Sequence, residues 1–86
     1  MEDIQTLRKR VDEIDDQIIK VLSERVKICK AIGETKKKQG LPVRDKSREN
    51  EVFIRVKEKA AKYELDPAQI DLLYREIVNI CSAVQE

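Results

Sequence analysis

From Ile4 to Ile32 apolar residues recur at three- and four-residue steps, through Leu7, Val11, Ile14, Ile18, Val21/Leu22 and Cys29. That spacing predicts an amphipathic helix with a face built to be buried. Counting in sevens from Ile4 passes Val11 and Ile18, lands on Arg25, and then reaches Ile32. A guanidinium on a core face is costly unless something anionic meets it. Lys36 extends the same face, ~20° around the helix from Arg25 and ~16 Å along it. Two cations on one buried stripe call for a buried anion.

The first helix is predicted from about Asp3 to about Lys38, a rod of ~50 Å. A domain of this length is narrower than that, and the rest of the chain cannot cover the rod. It is therefore an extended coiled coil or it packs against a second copy of itself. The break falls at Gln39-Gly40-Leu41-Pro42, where Gly40 suits a left-handed C-cap and Pro42 blocks continuation. A second helix starts near Asp45 or Ser47 and runs to about Lys62, with Val52, Phe53, Val56 and Ala60 inward. Asp66, Pro67 and Gln69 read as a capping-box start for a third helix. That helix is expected to carry Ile70, Leu73, Tyr74, Ile77, Cys81 and Val84 inward and to end at the chain terminus. No segment alternates with period two, so the fold class is all-α, in one domain spanning residues 1–86.

Composition narrows the function classes. A net charge of +1 gives no global pull toward nucleic acid or membrane. With no signal-peptide core and no apolar run long enough to span a bilayer, a cytoplasmic protein is expected. Cys29 and Cys81 fall on apolar stripes at a spacing that matches no zinc or redox motif, which favours two buried free thiols. The chain has no histidine, so the commonest general base and the commonest metal ligand are both absent.

The informative polar residues are those on or beside apolar stripes: Arg25, Lys36, Glu49 and Gln85. Each has an ordinary alternative. Arg25 can bridge to a buried carboxylate such as Glu49. The run Lys36-Lys37-Lys38 can complement the helix dipole. Asp45 can serve only as an N-cap, Arg48 and Glu49 can be surface charges, and Gln85 can fray at a terminus. Taken together they crowd positive charge around the elbow between the first two helices, with Asp45 and Glu49 as the acids. Such a set suits a small polyanion that also carries a hydroxyl, since arginine forks bind carboxylates and a carboxylate accepts from a hydroxyl. Arg8 lies ~25 Å from Arg25 along the helix and ~100° around it, so one chain cannot bring both to a small ligand. In a dimer with antiparallel long helices, Arg8 of one chain reaches the site of the other.

The stretch Leu7-Arg8-Lys9-Arg10-Val11-Asp12-Glu13-Ile14-Asp15, followed by Glu24-Arg25, Gly33-Glu34-Thr35-Lys36, Pro42-Val43-Arg44-Asp45-Lys46-Ser47-Arg48-Glu49, Leu65-Asp66, Tyr74-Arg75-Glu76-Ile77 and Gln85, resembles the all-α (class II) chorismate mutases of monofunctional, single-domain type. The resemblance covers essentially the whole chain. It implies isomerisation of chorismate to prephenate, a [3,3] Claisen-type rearrangement in phenylalanine and tyrosine biosynthesis, on an intertwined helical homodimer without metal or cofactor. Carried over by position, it implies that Arg8 of the partner chain and Arg25 clamp the substrate carboxylates. Lys36 and Gln85 would donate to the ether oxygen, Asp45 and Glu49 would hold the ring hydroxyl and its surroundings, and Arg48 would support the polar side. Cys81 stands where well-known bacterial relatives place a serine near a substrate carboxylate, and a thiol is the weaker donor.

Two other readings compete. An isochorismate-pyruvate lyase on the same scaffold would not keep the D-x-x-R-E box formed by Asp45, Arg48 and Glu49. A non-catalytic helical dimerisation or nucleic-acid-binding module using the basic elbow leaves Arg25 and Gln85 unexplained.

Overall fold

The computed structural model describes residues 3–86, which form three helices in the order α1 (Ile4–Gln39), α2 (Lys46–Lys62) and α3 (Pro67–Ala83). No strand occurs among the described residues. Local chemistry fixes each boundary. Asp3 caps α1 by accepting from the Thr6 N–H at 2.8 Å. At the other end Gly40 takes the left-handed conformation, φ 69°, and its N–H bonds the Lys37 carbonyl while Leu41 bonds that of Lys36. This is the paired-carbonyl ending that a C-terminal glycine permits. Asp45 caps α2 through Arg48 N–H.

The α2–α3 turn closes the same way, with Leu65 N–H on the Ala60 carbonyl, but Glu64 occupies the left-handed position at φ 61°. Asp66 caps α3 by accepting from Ala68, one residue short of the Gln69 that a capping box would use.

The expected core of α2 is the observed one: Val52, Phe53, Val56 and Ala60 are buried. They pack on Val78, with Ile70 and Tyr74 beside them. The Arg75 guanidinium covers the Phe53 ring at 4.4 Å while it bonds Asp71, a carboxylate also approached by Lys57. The inward face of α3 follows the expectation at Cys81, which is buried, and at Ile70 and Tyr74, which pack on the core, and departs from it in part. Val78 and Ser82 are buried, whereas Leu73 is 53% exposed, and the helix stops at Ala83 rather than at the terminus. Apolar residues occupy most of the circumference of α3, so their spacing alone does not choose a face.

The shape is that of a rod with a short hairpin against one end. Extents are 57 × 23 × 15 Å and the radius of gyration is 16.2 Å, against about 12 Å for a compact domain of this length. α2 packs on α3, and α3 on α1. Leu7, Val11, Ile14 and Ile18 along the N-terminal half of α1 remain exposed, and so do Leu73 and Ile80 of α3. They continue into an apolar groove between Ile14, Ile18 and Leu22 on α1 and Tyr74, Ile77 and Ile80 on α3.

Candidate functional site

The C-terminal half of α1, the elbow, the first turns of α2 and the end of α3 enclose an open pocket of about 200 Å³. Seven of the residues singled out in the sequence line it: Arg25, Lys36, Asp45, Arg48, Glu49, Cys81 and Gln85. Arg8 does not; it is an exposed residue near the other end of α1.

Arg25 projects from the mid-point of α1, half-buried, and donates Nη1 to Cys81 Sγ at 2.7 Å. The same nitrogen lies 3.7 Å from Cys29 Sγ, one turn along its own helix. No carboxylate pairs with it among the described residues. The alternative bridge to Glu49 is not made, because Glu49 is engaged by Arg44 in a two-pronged contact: Nε to Oε2 at 3.0 Å and Nη2 to Oε1 at 2.8 Å. Those hydrogen bonds hold the Glu49 carboxyl below the usual glutamate range. Arg44 counts in the sequence only as one of the cations of the elbow, and its hold on Glu49 is what sequence reasoning missed. Arg44 precedes the α2 cap, and a five-residue separation across a cap follows no helical period.

Lys36 sits three turns beyond Arg25 on the same face of α1. Its Nζ donates to the Val43 carbonyl at 2.6 Å and to Gln85 Oε1 at 2.9 Å. It too has no carboxylate partner among the described residues. Gln85 completes this corner by donating Nε2 to the Cys81 carbonyl at 3.2 Å. It is only 8% exposed, so the alternative in which Gln85 frays into solvent is not what the structure shows.

An ammonium offers three N–H donors and a primary amide two. Lys36 and Gln85 therefore each keep one N–H uncommitted, at adjoining points of the pocket wall. Asp45 doubles as the α2 cap and a pocket wall. Arg48 is largely exposed, pairs with Glu51 at 3.3 Å and borders the polar rim.

The two thiols are free. Burial first, and then the neighbouring Cys81 side chain, push the Cys29 thiol above its usual range, so it stays protonated. No group of three or more His, Cys, Asp or Glu side chains capable of holding a metal occurs among the described residues. No helix of the described residues is long and apolar enough to cross a membrane.

The arrangement combines two cations that have no carboxylate partner among the described residues with one amide and two acids in the same pocket lining. It can bind a small anion and hold N–H donors against a chosen atom of it.

Comparison with known proteins agrees with this chemistry. Residues 7–86 match the family model described as chorismate mutase type II. The bifunctional chorismate mutase/prephenate dehydratase of Aquifex aeolicus is 35% identical across the whole of this chain, which spans about a quarter (25%) of that protein. The chorismate mutase of Methanocaldococcus jannaschii is 32% identical over 66 residues, covering 77% of this chain and 67% of the relative. Among solved structures, a conserved hypothetical protein from Pyrococcus furiosus superposes with a TM-score of 0.78 at 35% identity, over 96% of this chain and 95% of that one. With residues 7–86 matched to that family model, this chain belongs to the chorismate mutase type II family.

Proposed function

We propose that the protein isomerises chorismate to prephenate, as a homodimer whose two sites each take Arg8 from the other protomer. The observation that carries this reading is the pairing of Lys36 with Gln85, 2.9 Å apart, beside an Arg25 that has no carboxylate partner among the described residues.

The rearrangement is unimolecular and pericyclic. One carbon–oxygen bond breaks as one carbon–carbon bond forms, and no proton, nucleophile or cofactor enters. A protein can accelerate it in two ways. It can hold the enolpyruvyl side chain over the ring in the reactive geometry. It can also place donors where negative charge grows on the ether oxygen.

Arg25 supplies a planar fork for one substrate carboxylate and Arg8 of the second protomer one for the other, which together fix the folded conformer. The third N–H of Lys36 and the second N–H of Gln85 serve the ether oxygen. Glu49, kept ionised by Arg44, accepts the one proton that the ring hydroxyl can donate, and Asp45 forms its polar surroundings, with Arg48 at the rim. Cys81 backs Arg25 rather than binding substrate strongly, because a thiol is a poor donor.

The dimer is argued from cover. The single-chain pocket is smaller than the ~300–1,000 Å³ usual for small-molecule sites, and it is open on one side. The exposed N-terminal half of α1 has the length and the apolar face to close it in a second copy. A cytoplasmic setting, where Cys29 and Cys81 stay reduced, suits this reading.

The test is direct. Purified protein should consume chorismate, followed by loss of its absorbance, with prephenate as product. Arg25→Ala should lower kcat/KM by about a thousandfold. Absence of turnover by the wild type would sink the assignment, and release of pyruvate from isochorismate would move it to the lyase.

A further inference from the structure

Gly33 is the one glycine inside a helix of this chain, and it is the buried residue of α1. Glycine is the poorest ordinary residue for a helix interior, so its presence there needs a reason. Backbone conformation is not the reason, since Gly33 lies in regular α-helix; the other glycine, Gly40, is the one with positive φ. The reason is contact. A Cβ at position 33 would lie 2.8 Å from each of Cα, Cβ and Cγ of Gln85. One of those atoms is backbone, so no rotation of the Gln85 side chain relieves the clash. A side chain at 33 requires the end of the chain to move away from α1.

Gln85 has little else to hold it. It follows the end of α3 at Ala83, and its own N–H makes a short-range bond to the Ser82 carbonyl. Residues in such places fray unless tertiary contacts tie them down. Seating Cα, Cβ and Cγ in the notch fixes the first part of the side chain. The amide is thereby delivered to Lys36, three residues beyond Gly33 on the same face, and to the Cys81 carbonyl.

We infer that Gly33 is a positioning residue for this reaction: the notch it leaves in α1 sets the place of the Gln85 amide and so the strength of its help to the ether oxygen. This rests on the donor role proposed for Gln85. The notch acts on kcat and leaves carboxylate binding at Arg25 largely alone.

The experiment uses the full-length protein in four forms: wild type, Gly33→Ala, Gln85→Ala and the double variant. Folding is checked in each by thermal melting. Gln85→Ala should lower kcat about a hundredfold, and a wild-type kcat in that variant would remove the donor role itself. Gly33→Ala should lower kcat by a similar factor, with KM changed less than about threefold. Added to Gln85→Ala, it should cost less than about twofold more. A full further loss in the Gln85→Ala background, or a wild-type kcat in Gly33→Ala, overturns the inference.

A second readout needs neither substrate nor a folded Gly33 variant. The side-chain amide protons of Gln85 in the wild type should exchange with solvent far more slowly than those of the exposed Gln39 and Gln69. Exchange at the rate of those exposed glutamines would mean that the notch does not hold Gln85, whatever the residue does in the reaction.

Discussion

The two halves of α1 belong to one uninterrupted helix yet have opposite relations to their surroundings. In the C-terminal half the polar residues are the covered ones: Arg25 and Lys36 are half-buried beneath α3 and the elbow, and Gly33 is sealed by Gln85. In the N-terminal half the apolar residues are the bare ones, with Ile14 53% and Ile18 56% exposed. A helix that hides its cations and shows its isoleucines is not a finished surface. In the proposed dimer the covered half receives an anion and the bare half is covered by the other chain.

The most severe way to break this contrast is to charge the bare half. If Ile14 faced water in the working protein, Ile14→Asp would change stability by no more than about 0.5 kcal/mol. If a second copy covers it, each dimer gains two buried carboxylates and loses two apolar anchors, at a cost above ~3 kcal/mol. We expect the variant to lose its dimer in sedimentation velocity at micromolar concentration and to melt without a cooperative transition. A dimeric Ile14→Asp with an unchanged melt would remove the second copy from this face.

In the proposed dimer Arg8 links the two halves, so its loss is expected to give the next largest effect. Arg8→Ala and Lys36→Ala should each lose about a hundredfold or more in kcat/KM. After subunit exchange at equal concentrations, half of the dimers are hybrids, each with one intact site. About a quarter of all sites should then be whole, and the mixture should recover about that share of wild-type activity. Proven exchange without recovery would mean that Arg8 serves the site of its own chain or none.

The contrast also explains what the sequence made legible. Helix limits came within about two residues of the observed ones wherever a cap sets them, because caps are local chemistry: Asp3, Gly40, Asp45 and Asp66 each act within a few residues of themselves, whereas α3, expected to reach the terminus, ends at Ala83. The face of α2 was readable because it has a single partner. The face of α3 was readable only in part, since Leu73 and Ile80 point to the bare groove while Val78 and Ser82 point to α2 and the pocket. A helix that serves two partners carries two overlapping stripes.

Arg25 and Lys36 stood out as cations on an apolar stripe. Arg44 did not, because its bond to Glu49 depends on the fold of the elbow. Gly33 carried a readable signal, a glycine where a helix prefers almost anything else, but its meaning lay in a residue fifty-two positions away.

The smallest effect tests how the acid rim is kept ready. The Gln85 amide donates at any pH, and Arg44 holds the Glu49 carboxyl below its ordinary value of 4.5. The kcat of the wild type should therefore be nearly flat from neutral to mildly acidic pH. Arg44→Ala removes the largest cause of the lowering and leaves burial and Asp45 pushing up against the weaker pull of Lys46. The Glu49 pKa then rises, and the acid limb of the rate profile moves toward neutrality.

The stability linkage has the same sign. A lowered carboxyl pKa stabilises the fold above the unfolded value, and that help is lost as pH falls through the folded one. The variant should thus fall short of wild type in melting temperature near neutral pH and converge with it in acid. Because the pair is partly exposed, the loss of activity at neutral pH should stay below about fivefold. A steep acid-side optimum in the wild type would remove Gln85 as a pH-independent donor. An unmoved acid limb in Arg44→Ala would show that the ionisation of Glu49 does not govern the rate.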